Sequence, residues 1–176
     1  MRMNRINALA LSWLLASGGQ ALADADPCAG FKWDVSKERS LFASAPAPAA
    51  AGKDSASAPV ATPNRLYQLQ LLPAEQVAFP AKPGKIPSSG ETYAGVLSLD
   101  IPASGKYRVA IDMPLWIDVV ADGSLVPASD YEGQHACSAP RKIVVFTLDA
   151  KRRLQLQVSD AFQATVRLAI TPVPAR

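Results

Sequence analysis

Histidine is almost missing from this 176-residue sequence: His135 stands alone. A mononuclear iron or zinc centre built on two or three histidines is therefore unavailable within one chain. Any Ser or Cys nucleophile would have to share that one imidazole, and no serine sits in a G-x-S-x-G elbow. There are two cysteines and they form no C-x-x-C pair, which removes the usual redox motif. Calcium loops of the D-x-D-x-D-G type are lacking too, although Asp100, Asp112, Asp118, Asp122 and Asp130 fall at strand ends or turns. No internal repeat and no convincing amphipathic helix interrupts the pattern.

What is present begins at the N-terminus. Arg2 and Arg5 precede an apolar run from Ala8 to Ala16, followed by Ala21-Leu22-Ala23. A charged start, a run too short to span a bilayer and an A-x-A site read as a signal peptide over residues 1–23. The expectation is a periplasmic or secreted protein with no transmembrane anchor after cleavage. Ala25-Asp26-Pro27 before Cys28 does not make a lipobox, so a lipid anchor is not expected. Loss of Arg2 and Arg5 leaves sixteen basic residues against fifteen acidic ones. Such a near-neutral chain has no bulk charge for nucleic acid or anionic membranes. Lys151-Arg152-Arg153 reads as a solvated turn.

Cys28 and Cys137 survive processing, and an even pair in an oxidising compartment reads as a disulfide. It would close a loop of more than a hundred residues. In the chain-entropy picture a loop of that size stabilises by roughly 4.7 kcal/mol. The bond would tie the N-terminal segment, residues 24–42, to a loop late in the chain. In that segment Phe31, Trp33 and Val35 alternate as in a strand, while Asp34 or Ser36 is placed to cap one or two helical turns after them.

Residues 43–64 turn abruptly to Ala, Pro and Ser, with little to bury, and read as a disordered linker. Residues 65–176 read as strands. Leu97, Leu99 and Ile101 alternate with polar neighbours, as do Tyr107, Val109 and Ile111, and Pro102–Gly105 between them predicts a hairpin. Asp122-Gly123 is a second turn signal, and Asp130–Arg141 reads as a loop. Ile143–Leu148 suits a central strand. About eight strands with regular turns predict an all-β, antiparallel β-sandwich, jelly-roll-like in outline.

Trp33, Trp116 and Tyr131 are the candidate contacts for a ligand or partner, with Tyr107 placed in the core. His135, beside Cys137 and near Glu132, is the one candidate metal ligand, set against a plain loop histidine next to a disulfide. No cofactor is expected. The composition favours a non-catalytic module that binds a small ligand or an envelope protein, with a metal-dependent enzyme and a structural envelope component as alternatives. If the Trp33 segment is the binding element, removing residues 24–42 should abolish binding and leave the β-domain folded.

Two resemblances add to this reading. Gly105-Lys-Tyr-Arg-Val, Trp116-Ile-Asp-Val-Val and Asp122-Gly-Ser-Leu-Val, within Gly95–Val126, resemble the β-sandwich of bacterial pre-peptidase C-terminal domains, which are non-catalytic accessory modules. Over most of the chain outside residues 43–64, the sequence resembles a family of small exported proteobacterial proteins. The residues that carry this are Cys28-Ala-Gly-Phe-Lys-Trp33-Asp-Val, Glu38-Arg39, Trp116–Val120, Cys137 and Arg141-Lys142. Some proteins of that kind bear a homogentisate 1,2-dioxygenase name. Those dioxygenases hold iron through two histidines and a glutamate in a longer chain, a set that His135 alone does not supply.

Overall fold

The computed structural model describes residues 26–86 and 88–174, so the expected signal peptide lies outside the described residues. The chain forms an all-β sandwich with one α-helix. In order, the elements are α1 (Ser36–Phe42), β1 (Ala47–Ala50), β2 (Val60–Ala61), β3 (Leu66–Gln70), β4 (Leu72–Pro73) and β5 (Tyr93–Leu99). They continue with β6 (Gly105–Ile111), β7 (Trp116–Ala121), β8 (Ser124–Val126), β9 (Ala128–Gly133), β10 (Lys142–Leu148), β11 (Leu154–Ala161) and β12 (Thr165–Pro172). The first sheet runs β1-β3-β12-β6-β10-β9; the second runs β2-β5-β11-β7-β8, with β4 also on β5.

The interior follows from the alternation. Leu97 and Leu99 of β5, Tyr107, Val109 and Ile111 of β6, and Leu154, Leu156 and Val158 of β11 all enter one core. The hairpin expected at Pro102–Gly105 does not form, however: β5 belongs to the second sheet and β6 to the first. Both runs bury the same kind of face, but they meet across the core, not edge to edge. Alternation reports which face is buried and carries no information on the pairing partner. The second turn does form a hairpin. Asp122 and Gly123 take φ of 50° and 82°, the left-handed pair that a two-residue turn between β7 and β8 requires.

The Ala/Pro stretch is ordered, which corrects the expectation of a disordered linker over residues 43–64. β1 pairs in parallel with β3, and β2 in parallel with β5, so the sheets are mixed instead of purely antiparallel. Between them Ala51 N–H donates to Gln70 O and Gly52 N–H to Val96 O, carrying the chain from the edge of one sheet to the edge of the other. The open edge of β5 is thereby covered piecewise, by β4 at Tyr93–Ala94, by Gly52 at Val96 and by β2 at Ser98–Leu99. Small side chains are what this path needs. A Cβ on Gly95 would lie 2.4 Å from Ala51 Cβ, and Ala51 and Ala61 are buried. The stretch contributes backbone pairing and close approach, neither of which registers as hydrophobicity.

Residues 28–42 are fastened to the outer face of the first sheet. Phe31, Val35 and Phe42 pack on Leu66, Ala110, Ile143 and Ala169, one from each of four neighbouring strands, next to the Cys28–Cys137 disulfide. Burying each large apolar side chain contributes about 1.5–3 kcal/mol. Asp34 Oδ1 accepts the Ser36 N–H just before α1. The N-cap position is Val35 and no side chain caps the helix, so neither Asp34 nor Ser36 takes the capping role expected of it. Glu38, on the buried side of α1, accepts the hydroxyl of Thr171 and a 3.4 Å bond from Arg108 Nη1.

Candidate functional site

The three aromatic candidates separate into two places. Trp116 and Tyr131 line one cleft, between the β7–β8 hairpin of the second sheet and the β9–β10 edge of the first. Trp33 lies on the other side of the first sheet, in a groove it shares with Lys32, Asp34, Lys106, Arg108 and Asp130.

The cleft has a volume of about 340 Å³. That falls at the lower end of the roughly 300–1,000 Å³ typical of small-molecule sites. Its walls are Ile117, Leu125, Val126, Pro127, Ala128, Val144 and Phe146, closed by Trp116, Asp118, Tyr131 and Lys142. It exists because β8 is three residues long and the chain passes through Pro127 straight into β9 of the opposite sheet. At this corner the sheets part before their inner faces are fully covered. Tyr131 is 70% exposed at the mouth, and Leu125 is exposed beside it. The loop predicted over Asp130–Arg141 begins later than that, because Asp130–Gly133 belongs to β9. β9 is an edge strand with one open side, so its residues lack the apolar alternation that marks a strand.

Two polar groups define the chemistry of the cleft. Asp118 is buried and fully engaged: Oδ1 accepts Trp116 Nε1–H at 2.9 Å, and Oδ2 accepts Gly84 N–H at 3.0 Å and Gln157 Nε2–H at 3.1 Å. It fixes the indole and the passing loop in place. Lys142 donates from Nζ to Leu115 O at 3.0 Å and stands 5.1 Å from the centre of the Trp116 ring. Burial holds its pKa below the usual lysine value, the charge of Lys85 acts in the same direction, and Asp118 opposes them. Sequence reasoning placed Lys142 only within a family resemblance. A stronger signal was available: Lys142 shares its strand face with Val144 and Phe146, which point into the core.

The Trp33 groove is larger, about 750 Å³, and two of its cations, Lys32 and Arg108, are engaged by other protein groups. Lys32 Nζ meets Asp130 at 2.6 Å, and Arg108 Nη1 donates to Asp34 O at 2.8 Å besides Glu38. Among the described residues Arg108 Nε finds no acceptor. The Trp33 ring lies 4.7 Å from Lys32 Nζ and 5.3 Å from the Arg108 guanidinium, so its π-face is already used by protein cations. The Lys32 bond is the main cause that keeps the Asp130 carboxyl below its ordinary pKa.

No site resembling a metal centre forms around His135. The Cys137 sulfur is bonded to Cys28 and cannot act as a thiolate ligand. His135 Nδ1 faces Arg141 Nη2 at 3.1 Å, and Glu132 accepts bonds from Gln134 and from the Lys32 N–H. Among the described residues no cluster of three or more His, Cys, Asp or Glu is placed to hold a metal. The turn acids are similarly occupied, Asp112 by Arg167 and Asp122 by Arg152, whose bond lowers the Asp122 pKa.

Comparisons with protein families, with curated proteins and with solved structures find no match to this chain. The functional reading therefore rests on the geometry. Among the described residues no helix is long and apolar enough to cross a membrane.

Proposed function

We propose that this protein is an exported, non-catalytic binding module that works in the periplasm or outside the cell, and that its ligand sits in the cleft beside Trp116 and Tyr131. The observation that carries this reading is the apolar corner itself, a concave, ligand-sized space with two aromatic rings at its rim. The disulfide supports an oxidising location, as does the signal-like N-terminus. The resemblance to small exported proteobacterial proteins points the same way. An enzymatic reading lacks a nucleophile–base pair or a set of metal donors in the cleft, where Asp118 is engaged by three hydrogen bonds.

The test is native mass spectrometry of the protein recovered from the envelope of its own host. A small-molecule adduct should be present on the unaltered chain and missing from a Leu125→Asp variant, which places a carboxylate at the mouth. An adduct that persists in the variant, or an unaltered chain that carries none, contradicts the assignment.

A further inference from the structure

The charges of the cleft cancel, while its hydrogen-bonding groups are unevenly used. Among the described residues that line it, Lys142 is the one cation and Asp118 the one carboxylate, so the wall carries no net charge. Asp118 lies near enough to act on Lys142, opposing the burial and the Lys85 charge that lower its pKa. Lys85 is itself paired with Asp160 at 2.8 Å. The acceptors are taken: Asp118 Oδ1 accepts from Trp116, and Oδ2 accepts from Gly84 and Gln157. The Trp116 N–H is engaged by the same contact, and Pro127 has no N–H to offer. Lys142 differs. It donates to Leu115 O, and among the described residues it makes no second hydrogen bond, although an ammonium carries three protons. What remains for an occupant is donor capacity on Lys142 and the hydrocarbon of Val126, Val144 and Phe146.

Resting on the binding-module reading, we infer that the cleft takes a neutral apolar molecule with an oxygen acceptor, a ketone or ester carbonyl, which receives a hydrogen bond from Lys142. The charge balance excludes ionic headgroups. A carboxylate or an ammonium would bring a net charge into a mainly apolar space whose own charges already cancel, and nothing there would offset its loss of water. The donor inventory sets the polar group. A headgroup that only donates would meet Lys142, another donor, beside an Asp118 whose two oxygens are already bonded. A bare hydrocarbon would cover the remaining Lys142 protons and leave them unbonded, which is costly once water is gone. The lining sets the body: aliphatic side chains line the floor, and the rings of Trp116 and Tyr131 stand at the rim. A carbonyl oxygen on an apolar chain meets all three conditions.

The decisive experiment compares 2-decanone, decanoate and decylamine, which share an apolar chain and differ in headgroup, by isothermal titration of the oxidised protein at neutral pH. 2-Decanone should bind about tenfold more tightly than either ion. Two variants then unbalance the wall. In Lys142→Met the Asp118 charge stands alone, so decylamine should gain affinity, and 2-decanone should weaken about tenfold for the lost charge-assisted bond. In Asp118→Asn the Lys142 charge stands alone, and decanoate should gain instead. An ion that binds the unaltered protein as tightly as 2-decanone overturns the neutral-ligand assignment and leaves the cleft standing as a ligand site. Unchanged 2-decanone affinity in folded Lys142→Met overturns the assignment of Lys142 as the donor. Failure of all three to bind overturns the cleft itself, and this assignment with it. Because the three-ligand comparison uses the unaltered protein, a variant that fails to fold does not blunt the test.

Discussion

Two grooves flank the edge strand β9, and they have opposite chemistry. On one side, Asp130 is joined to Lys32 in the Trp33 groove, where the indole is already covered by cations. On the other, Tyr131 opens onto a mainly apolar cleft whose wall holds Lys142 and the hydrogen-bonded carboxylate of Asp118. The first is a clasp that fastens residues 28–42 to the sheet. The second is a vacancy in the core wall. The lesson is that an aromatic side chain outside the main domain, such as Trp33, is not for that reason available to a ligand; its own segment recruits it.

The comparison can be broken from the clasp side first, where the largest effects are expected. Glu38→Ala removes the buried partner of Arg108 and should cost about 3–5 kcal/mol in urea unfolding. Replacing Cys28 and Cys137 together by serine should cost about 2–5 kcal/mol. In both variants the fraction that remains folded should still bind 2-decanone, because neither change touches the cleft. Truncation of residues 24–42, by contrast, uncovers Leu66, Ala110, Ile143 and Ala169 and should reduce stability as well as any binding. That outcome would mark the segment as structural.

A smaller effect tests the ordered Ala/Pro path. Gly95→Ala would drive a methyl group against Ala51 and should cost about 1–3 kcal/mol, read as a lower urea midpoint. No loss of stability would mean that this path is loosely held after all. Smaller still in stability is Tyr131→Ala, which should stay within about 0.5 kcal/mol of the parent because the ring is exposed, yet should weaken 2-decanone binding measurably.

The strands were largely legible because buried β-sheet writes period-two alternation, and Tyr107, Val109 and Ile111 do lie inside. Partner choice was not legible: the β5 and β6 runs looked like a hairpin and proved to face each other across the core. The Ala/Pro strands were missed because their role is backbone pairing by small residues. As for the site, Trp116 and Tyr131 were readable as aromatics near strands, but their meeting depends on the short β8 and the Pro127 crossover. Lys142 carried a periodicity signal that a charged residue at a strand's start easily hides.

The weakest effects are those of pH. Asp130 has a lowered pKa, so its contribution is present above the ordinary carboxylate range and disappears as pH falls through the depressed value. Lys142 behaves oppositely. Between its lowered pKa and the ordinary 10.5 the unfolded chain holds more protons, so its effect is a stability that rises with pH. 2-Decanone affinity should fall over the same window as the ammonium donor is lost, with Lys85, Asp118 and Tyr131 the other titratable groups at the cleft. Parallel calorimetric titrations and urea curves in alkaline buffers check this opposition of signs.

The most direct test of the division between clasp and cleft is a heteronuclear NMR titration of the protein with 2-decanone, following the indole N–H signals of Trp33 and Trp116. The Trp116 signal and the backbone amides of Tyr131 and Val144 should shift and saturate together while Trp33 stays still. A Trp33 signal that moves with saturation, while Trp116 does not, would place the ligand at the clasp and contradict the account.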